Sequence, residues 1–338
     1  MTQDQAEPKG TIVTSRDVAR FLGVSQSMVS RAFDPRGRVS PENRARIMKA
    51  AERLGYRPNV IARSLSTRRS GIVAIVMGTL ENPFYPEVLD QLAIALDAAG
   101  FRSLLFRVPP DQDVDGQLPA LRQYNVDALI VTSASISSRI ADKWQRDSRR
   151  IVLFNRTIPG ASVPSISCDN AGGARRLADL LVDSGHRRIV YVAGPQHTST
   201  NRERESGFMA RLMERGCALA GRVDTPAFSF AAGYAAAQQA MSVKPDAVFF
   251  ANDILALGGM DRLRGEFGLS IPGDISVVGF DDIPMAAWPS YDLTTIRQPL
   301  EEMVALTVST IAGDAGGATT QMVAGTLMSR GSVGQRAG

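Results

Sequence analysis

From Ile72 onward the sequence alternates short, mainly apolar runs with stretches of helix length, a pattern that few folds accommodate. The runs are Ile72–Met77, Ser103–Arg107, Ala128–Thr132, Ile151–Asn155, Ile189–Ala193, Ala247–Ala251 and Ser276–Phe280, with helix-length segments such as Phe84–Ala99 and Ala171–Ser184 between them. Each run falls far short of the roughly 18 apolar residues that a membrane helix needs. Each therefore reads as a buried strand. Strands alternating with helices imply parallel sheets covered by helices. About seven such strands spread over some 260 residues suit two doubly wound subdomains better than one sheet. The expected α/β body runs over 71–335, its subdomains over about 71–168 and 169–296, with the C-terminal segment crossing back.

Ahead of this body the pattern changes to three short helices. Thr14 can cap a first helix that Gly23 ends, and Ser25 precedes a second over Gln26–Phe33. Met28, Val29 and Ala32 can face inward there, while Gln26, Ser27, Ser30 and Arg31 can face outward. The turn Gly23-Val24-Ser25 has the length of a helix-turn-helix connection. Ser40 and Pro41 then start a third helix, Glu42–Leu54, which Gly55 ends. The expected divisions are a disordered tail over 1–11, a helix-turn-helix head over 12–57 and a linker with a helical turn or two over 58–70.

Charge follows the same division. Residues 1–70 carry 14 lysines and arginines against six acids, whereas the chain as a whole is only +4, so the body is mildly acidic. A small basic module suits a polyanion partner, since neutralising phosphates releases counterions. A merely solvated basic face would give the same count. The two cysteines, Cys168 and Cys217, lack CxxC spacing, and with only His186 and His197 in the chain no metal cluster is expected. No GxGxxG follows a strand, and neither a GxxxxGK[ST] loop nor a GxSxG elbow occurs, so neither an enzyme nor a cofactor is expected. Met1 to Gly10 is polar, without the apolar core of a secretory signal, which points to the cytoplasm.

The run Thr14-Ser-Arg-Asp-Val-Ala-Arg-Phe-Leu-Gly-Val-Ser-Gln-Ser-Met-Val-Ser-Arg31, with Arg53-Leu-Gly-Tyr-Arg-Pro-Asn59 and Ala62-Arg-Ser-Leu65, resembles the LacI/GalR family of bacterial transcription regulators. The likeness continues through Asn82-Pro-Phe-Tyr85, Gly185-His-Arg-Arg-Ile189, Ala251-Asn-Asp253, Val278-Gly-Phe-Asp-Asp282, Leu293-Thr-Thr-Ile296 and Arg330-Gly-Ser332. It implies a repressor-type, homodimeric regulator of double-stranded operator DNA, with a body resembling periplasmic sugar-binding proteins that responds to a sugar or sugar acid. In such a head the second helix lies in the major groove. Gln26, Ser27 and Arg31 then read bases, where Gln suits adenine and Arg guanine. Thr14, Ser25 and Ser30 are better placed as phosphate donors. In the linker, Asn59, Ala62 and Arg63 match DNA-contacting positions, and Leu65 matches a leucine that wedges into the minor groove. A tether with Leu65 packed on the body is the alternative. Met28 and Phe33-Asp34-Pro35 depart from the family pattern, and Asp34 would repel a phosphate.

Ligands of open parallel sheets bind beyond the carboxyl ends of the strands. The polar residues found there are Asn82, Arg107, Ser133, Ser135, Asn155, Arg156, Thr198, Thr200, Arg204, Asn252 and Asp281, with Phe84 or Phe230 to cover an apolar ring face. The resemblance singles out Asp281, Asn252 and Arg204 as effector contacts. Arg204 could instead pair with Glu203 or Glu205, and Asp281 could cap a helix.

Overall fold

The structure is a computed structural model describing residues 13–33, 37–56, 70–78, 80–109, 114–132, 136–138, 141, 143–144, 150–313 and 320–336. The chain divides into two compact units, Met1–Ser70 and Gly71–Gly338.

In the first unit, α1 (Ser15–Leu22), α2 (Gln26–Ala32) and α3 (Pro41–Leu54) enclose a small core of Val18, Ala19, Val29, Ala32, Ile47, Ala50 and Ala51. Their ends are fixed by local chemistry. The Ser25 and Ser40 hydroxyls accept from the backbone N–H groups of Met28 and Asn43, while Gly23 and Gly55 close α1 and α3 in the left-handed conformation. Two boundaries differ by a residue from expectation. Phe33 ends α2 as its cap, and Pro41 already belongs to α3, its missing N–H costing nothing in a first turn.

The second unit holds two parallel sheets. The first contains β1 (Ile72–Met77), β2 (Arg102–Arg107), β3 (Ala128–Val131), β4 (Arg150–Phe154), β5 (Ser165–Cys168) and β11 (Thr320–Val323), in the order β11-β5-β4-β3-β1-β2. The second contains β6 (Ile189–Ala193), β7 (Leu219–Asp224), β8 (Ala247–Phe250) and β9 (Ser276–Val278), in the order β7-β6-β8-β9. All pairings in both are parallel. The unit's helices are α4 (Phe84–Ala98), α5 (Val114–Gln123), α6 (Asn170–Asp183), α7 (Ser199–Glu214), α8 (Phe230–Ala240), α9 (Asp253–Gly265) and α10 (Leu300–Ala312), and β10 (Thr295–Arg297) pairs antiparallel with β12 (Thr326–Met328) beside α6. The chain therefore passes between the two sheets three times: after β5, after β10 and after β11. Helix α10 returns to pack on α4 and β4, beside the first sheet.

The seven expected strands are present, and five more join them: β5, β7, β10, β11 and β12. These lack an apolar run. Strand β5 reads Ser-Ile-Ser-Cys yet is buried throughout, and β11 is an edge strand with alternate residues in solvent. Tyr191 and Phe249 of the second sheet form an aromatic centre with Phe208 of α7, the Phe208 and Phe249 rings 4.8 Å apart. His186 is wholly buried, its Nε2 3.2 Å from the Gly334 carbonyl, which makes it a packed turn residue. Among the described residues no helix is long and apolar enough to cross a membrane.

Helices α8 and α9 cross at glycine contacts. A Cβ on Gly258 would lie 2.0 Å from the Phe230 carbonyl oxygen, and one on Gly233 would lie 2.0 Å from that of Leu255. Neither carbonyl can yield without moving a helix. We expect Gly258→Ala to cost about 1–3 kcal/mol through overpacking, seen as a fall of the thermal midpoint in calorimetry while Gly265→Ala, with open space around its added methyl, leaves it in place.

Candidate functional site

On the head, Ser25, Gln26, Ser27, Ser30 and Arg31 are all exposed along one helix and the turn before it, as a reading surface requires. The side chains are also pre-set. The Gln26 amide donates through Nε2 to Ser15 Oγ at 3.0 Å and accepts at Oε1 from Arg16 Nε at 3.3 Å, so both ends are oriented from α1. Arg31 Nε donates to the Ser27 carbonyl at 3.2 Å. Ser25 Oγ lies 3.0 Å from Ser27 Oγ. Thr14 donates both its hydroxyl and its N–H to Asp17 Oδ2, at 2.7 and 2.9 Å, so its hydroxyl proton must leave that carboxylate to reach a phosphate. Arg16, which the sequence reading passed over, is an exposed partner of a candidate base reader. Asn59, Ala62, Arg63 and Leu65 lie outside the described residues, as do Asp34 and Pro35.

In the body, the decisive geometry centres on Arg204, on α7, and Asp281, after β9. Both are almost wholly buried, and Arg204 Nη2 donates to Asp281 Oδ1 at 3.0 Å. The guanidinium also donates through Nε to Asn170 Oδ1 at 2.9 Å and through Nη1 to the Ala251 carbonyl at 2.7 Å. It lies over the Phe280 ring, 3.8 Å from the centroid. Asp281 in turn accepts from Gln298 Nε2 at 2.7 Å and from Asn82 Nδ2 at 3.4 Å. Burial pushes its carboxyl upward, and Arg204, Gln298 and Asn82 oppose the shift. Because Asn82 follows β1 while Asp281 and Arg204 belong to the second subdomain, the pair sits on the seam between the two sheets.

The loop carrying Asp281 is strained. Asp281 has φ +128° and Asp282 φ +60°, conformations costing on the order of 1–3 kcal/mol each for a residue with a side chain. Three carboxylate contacts hold it. Asp253 Oδ2 accepts from the Ile283 N–H at 3.0 Å, and Asp282 pairs with Arg297 and Arg330 at 2.6 and 2.7 Å. Asp253 itself is pushed up by burial and by the nearby Asp281 charge.

The other candidates are placed as follows. Asn252 is buried and caps α9, its Oδ1 accepting from the Leu255 N–H at 3.2 Å, whereas the helical turn that follows Asp281 starts from Ile283, so Asp281 is not its cap. Glu203 accepts from Thr157 and Asn170, and Glu205 pairs with Arg222, so neither is the partner of Arg204. Phe84 and Thr200 are buried, and Asn155 is buried with φ +54°. Arg156 is partly buried beside it, whereas Arg107 is exposed on an edge strand. Ser133 lies outside the described residues. A cavity of about 470 Å³ adjoins the ion pair, lined by Phe84, Glu87, Asp281, Gln298 and Leu300 among others, but not by Asn155, Arg156 or Thr200. Asn170 and Gln298 were not anticipated. The first follows β5, a strand with no apolar run, and the second follows β10, whose Leu293-Thr-Thr-Ile296 motif was the available signal.

Residues 14–59 match the description "Bacterial regulatory proteins, lacI family", and residues 178–333 match "Periplasmic binding protein-like domain". The HTH-type transcriptional regulator GalS of Salmonella typhimurium is 31% identical over 86% of this chain and 87% of its own length. The chain belongs to the lacI family of bacterial regulatory proteins. It is a transcription regulator with a DNA-binding head and an effector-binding body. Among solved structures, a lac repressor dimer bound to operator and the anti-inducer ONPF superposes with a TM-score of 0.84 at 25% identity, covering 95% of this chain and 99% of that one. A complex of the regulator CelR with cellobiose gives 0.70 at 28% identity, with the same coverage.

Removing either partner of the Arg204–Asp281 pair leaves an uncompensated buried charge. We expect Arg204→Met and Asp281→Leu each to cost about 3–5 kcal/mol and the double variant to recover most of that loss, as measured by urea denaturation in a double-mutant cycle.

Proposed function

We propose that this regulator is a cytoplasmic, homodimeric repressor, and not an enzyme, whose hold on operator DNA is controlled by a sugar or sugar acid bound between its two subdomains. The observation that carries this reading is the hydrogen-bonded ion pair on the seam, where Asn82 of one subdomain meets Asp281 and Arg204 of the other. A ligand whose hydroxyls replace those contacts changes the free energy of the seam directly. Phe84, Ser133, Asn155, Arg156, Thr200, Arg204, Asn252 and Asp281 are its proposed binding set. Support also comes from the cellobiose held by CelR and the operator held by the lac repressor dimer.

On DNA, Gln26, Ser27 and Arg31 read base edges while Thr14, Ser25 and Ser30 fix register on phosphates. Asn59, Ala62, Arg63 and Leu65 of the linker contact the minor groove and its flanks. Two heads on a two-fold axis read two half-sites. A ligand shifts operator affinity only by its differential affinity for the two arrangements of the seam, typically about 1–3 kcal/mol, and the effect is reciprocal.

Two measurements test the reading. Titration calorimetry of the effector with and without operator should give different affinities; identical values would remove the switch. Arg31→Ala should lose discrimination between operator and random DNA, whereas Arg63→Ala should weaken both and flatten the salt dependence. Equal loss on both DNAs for Arg31→Ala would remove the base-reading role.

A further inference from the structure

The two ends of the Gln26 side chain have nearly the same shape but opposite chemistry, and α1 decides which end lies where. Turning a carboxamide over exchanges a donor for an acceptor. Two residues in the first turn of α1 touch it: Ser15 Oγ accepts from Nε2 at 3.0 Å, and Arg16 Nε donates to Oε1 at 3.3 Å. A hydroxyl can donate as well as accept, so Ser15 suits either orientation. Arg16 does not. A guanidinium has donors only, and a turned amide would set the N–H groups of Nε2 against that of Nε. Of the two neighbours, Arg16 alone therefore fixes the direction of the amide.

These contacts leave Gln26, exposed in the first turn of α2, with one lone pair on Oε1 and one N–H on Nε2. An acceptor beside a donor is what the N6 amino group and N7 of adenine require. Arg16 is exposed too, and its Nη nitrogens have no partner among the described residues, so they stay free for a phosphate while Nε holds Gln26.

Resting on the base-reading role given to Gln26 above, we propose that Arg16 is a positioning residue for sequence specificity, holding the Gln26 carboxamide in the orientation that reads adenine. Operator choice is then set jointly by α1 and α2. A side chain held in advance loses little freedom on meeting its base, and ordering one long side chain at an interface otherwise weakens binding by about two- to twelvefold.

The test lets the full-length protein select sites from a randomised duplex pool, after which affinities are measured for the selected site, its single-base-pair variants and random duplex over a salt series. Gln26→Ala locates the position that Gln26 reads, as the one whose preference it erases. Arg16→Lys keeps the charge but places a methylene where arginine has Nε. It should lower the preference for adenine at that one position by about two- to twelvefold, leaving the other positions and the affinity for random duplex as in wild type. A head that merely folds less well would instead lose affinity for every sequence alike. Arg16→Met should show the same loss of preference together with a uniform loss on all duplexes from the missing charge. In a Gln26→Ala background Arg16→Lys should change no preference, since no amide is left to orient. An adenine preference that survives Arg16→Lys, or a base other than adenine at that position, would overturn the positioning role and leave Gln26 as a reader. Gln26→Ala that erases no preference would overturn both.

Discussion

The body of this protein is organised by a buried charge. Arg204 and Asp281 lie 3.0 Å apart, both almost wholly buried, and each needs further hydrogen-bond partners to make its burial tolerable. Those partners come from the ends of four strands: Asn170 after β5, Gln298 after β10, Ala251 after β8 and Asn82 after β1. The geometry of the seam is thus set by the demand that one carboxylate and one guanidinium be satisfied. A hydrophobic seam would slide more freely. Here a shift of either subdomain must break a named hydrogen bond, and a ligand that supplies a replacement alters the balance.

Strain accumulates at the same place. Two consecutive aspartates with positive φ are held by Asp253, Arg297 and Arg330, so the loop after β9 is over-determined by contacts from α9, β10 and the C-terminal segment. Gly279 before it admits the Asp253 carboxylate, since a Cβ there would lie 2.2 Å from Asp253 Oδ1. This rigidity aims Asp281 at the seam.

What could be read from the sequence follows the range of the interactions. The caps at Ser25 and Ser40 and the left-handed glycines act within four residues, and the seven apolar strands need only their own composition. Strand β5 escaped notice because Ser165 and Ser167 are polar by type but buried by position, and with it went Asn170. The partner of Arg204 stands 77 residues away, so no local pattern could choose it over Glu203 and Glu205. Successive residues of a helix point in different directions, which is why those two neighbours turn to Thr157 and Arg222 instead. The family motifs drew attention to Asp281 and Asn252, but whether each would touch its neighbours or cap a helix depended on packing.

The place of β11 has a consequence for synthesis. Thr320–Val323 completes the first sheet by pairing with Ser165–Cys168, although all of the second sheet lies between them in the chain. As the polypeptide leaves the ribosome, the second sheet has every strand it needs before the first does. The older half of the body must therefore wait with the β5 edge unpaired, a template for pairing with another nascent chain. The order in which this body matures is thus the reverse of the order in which its sheets begin.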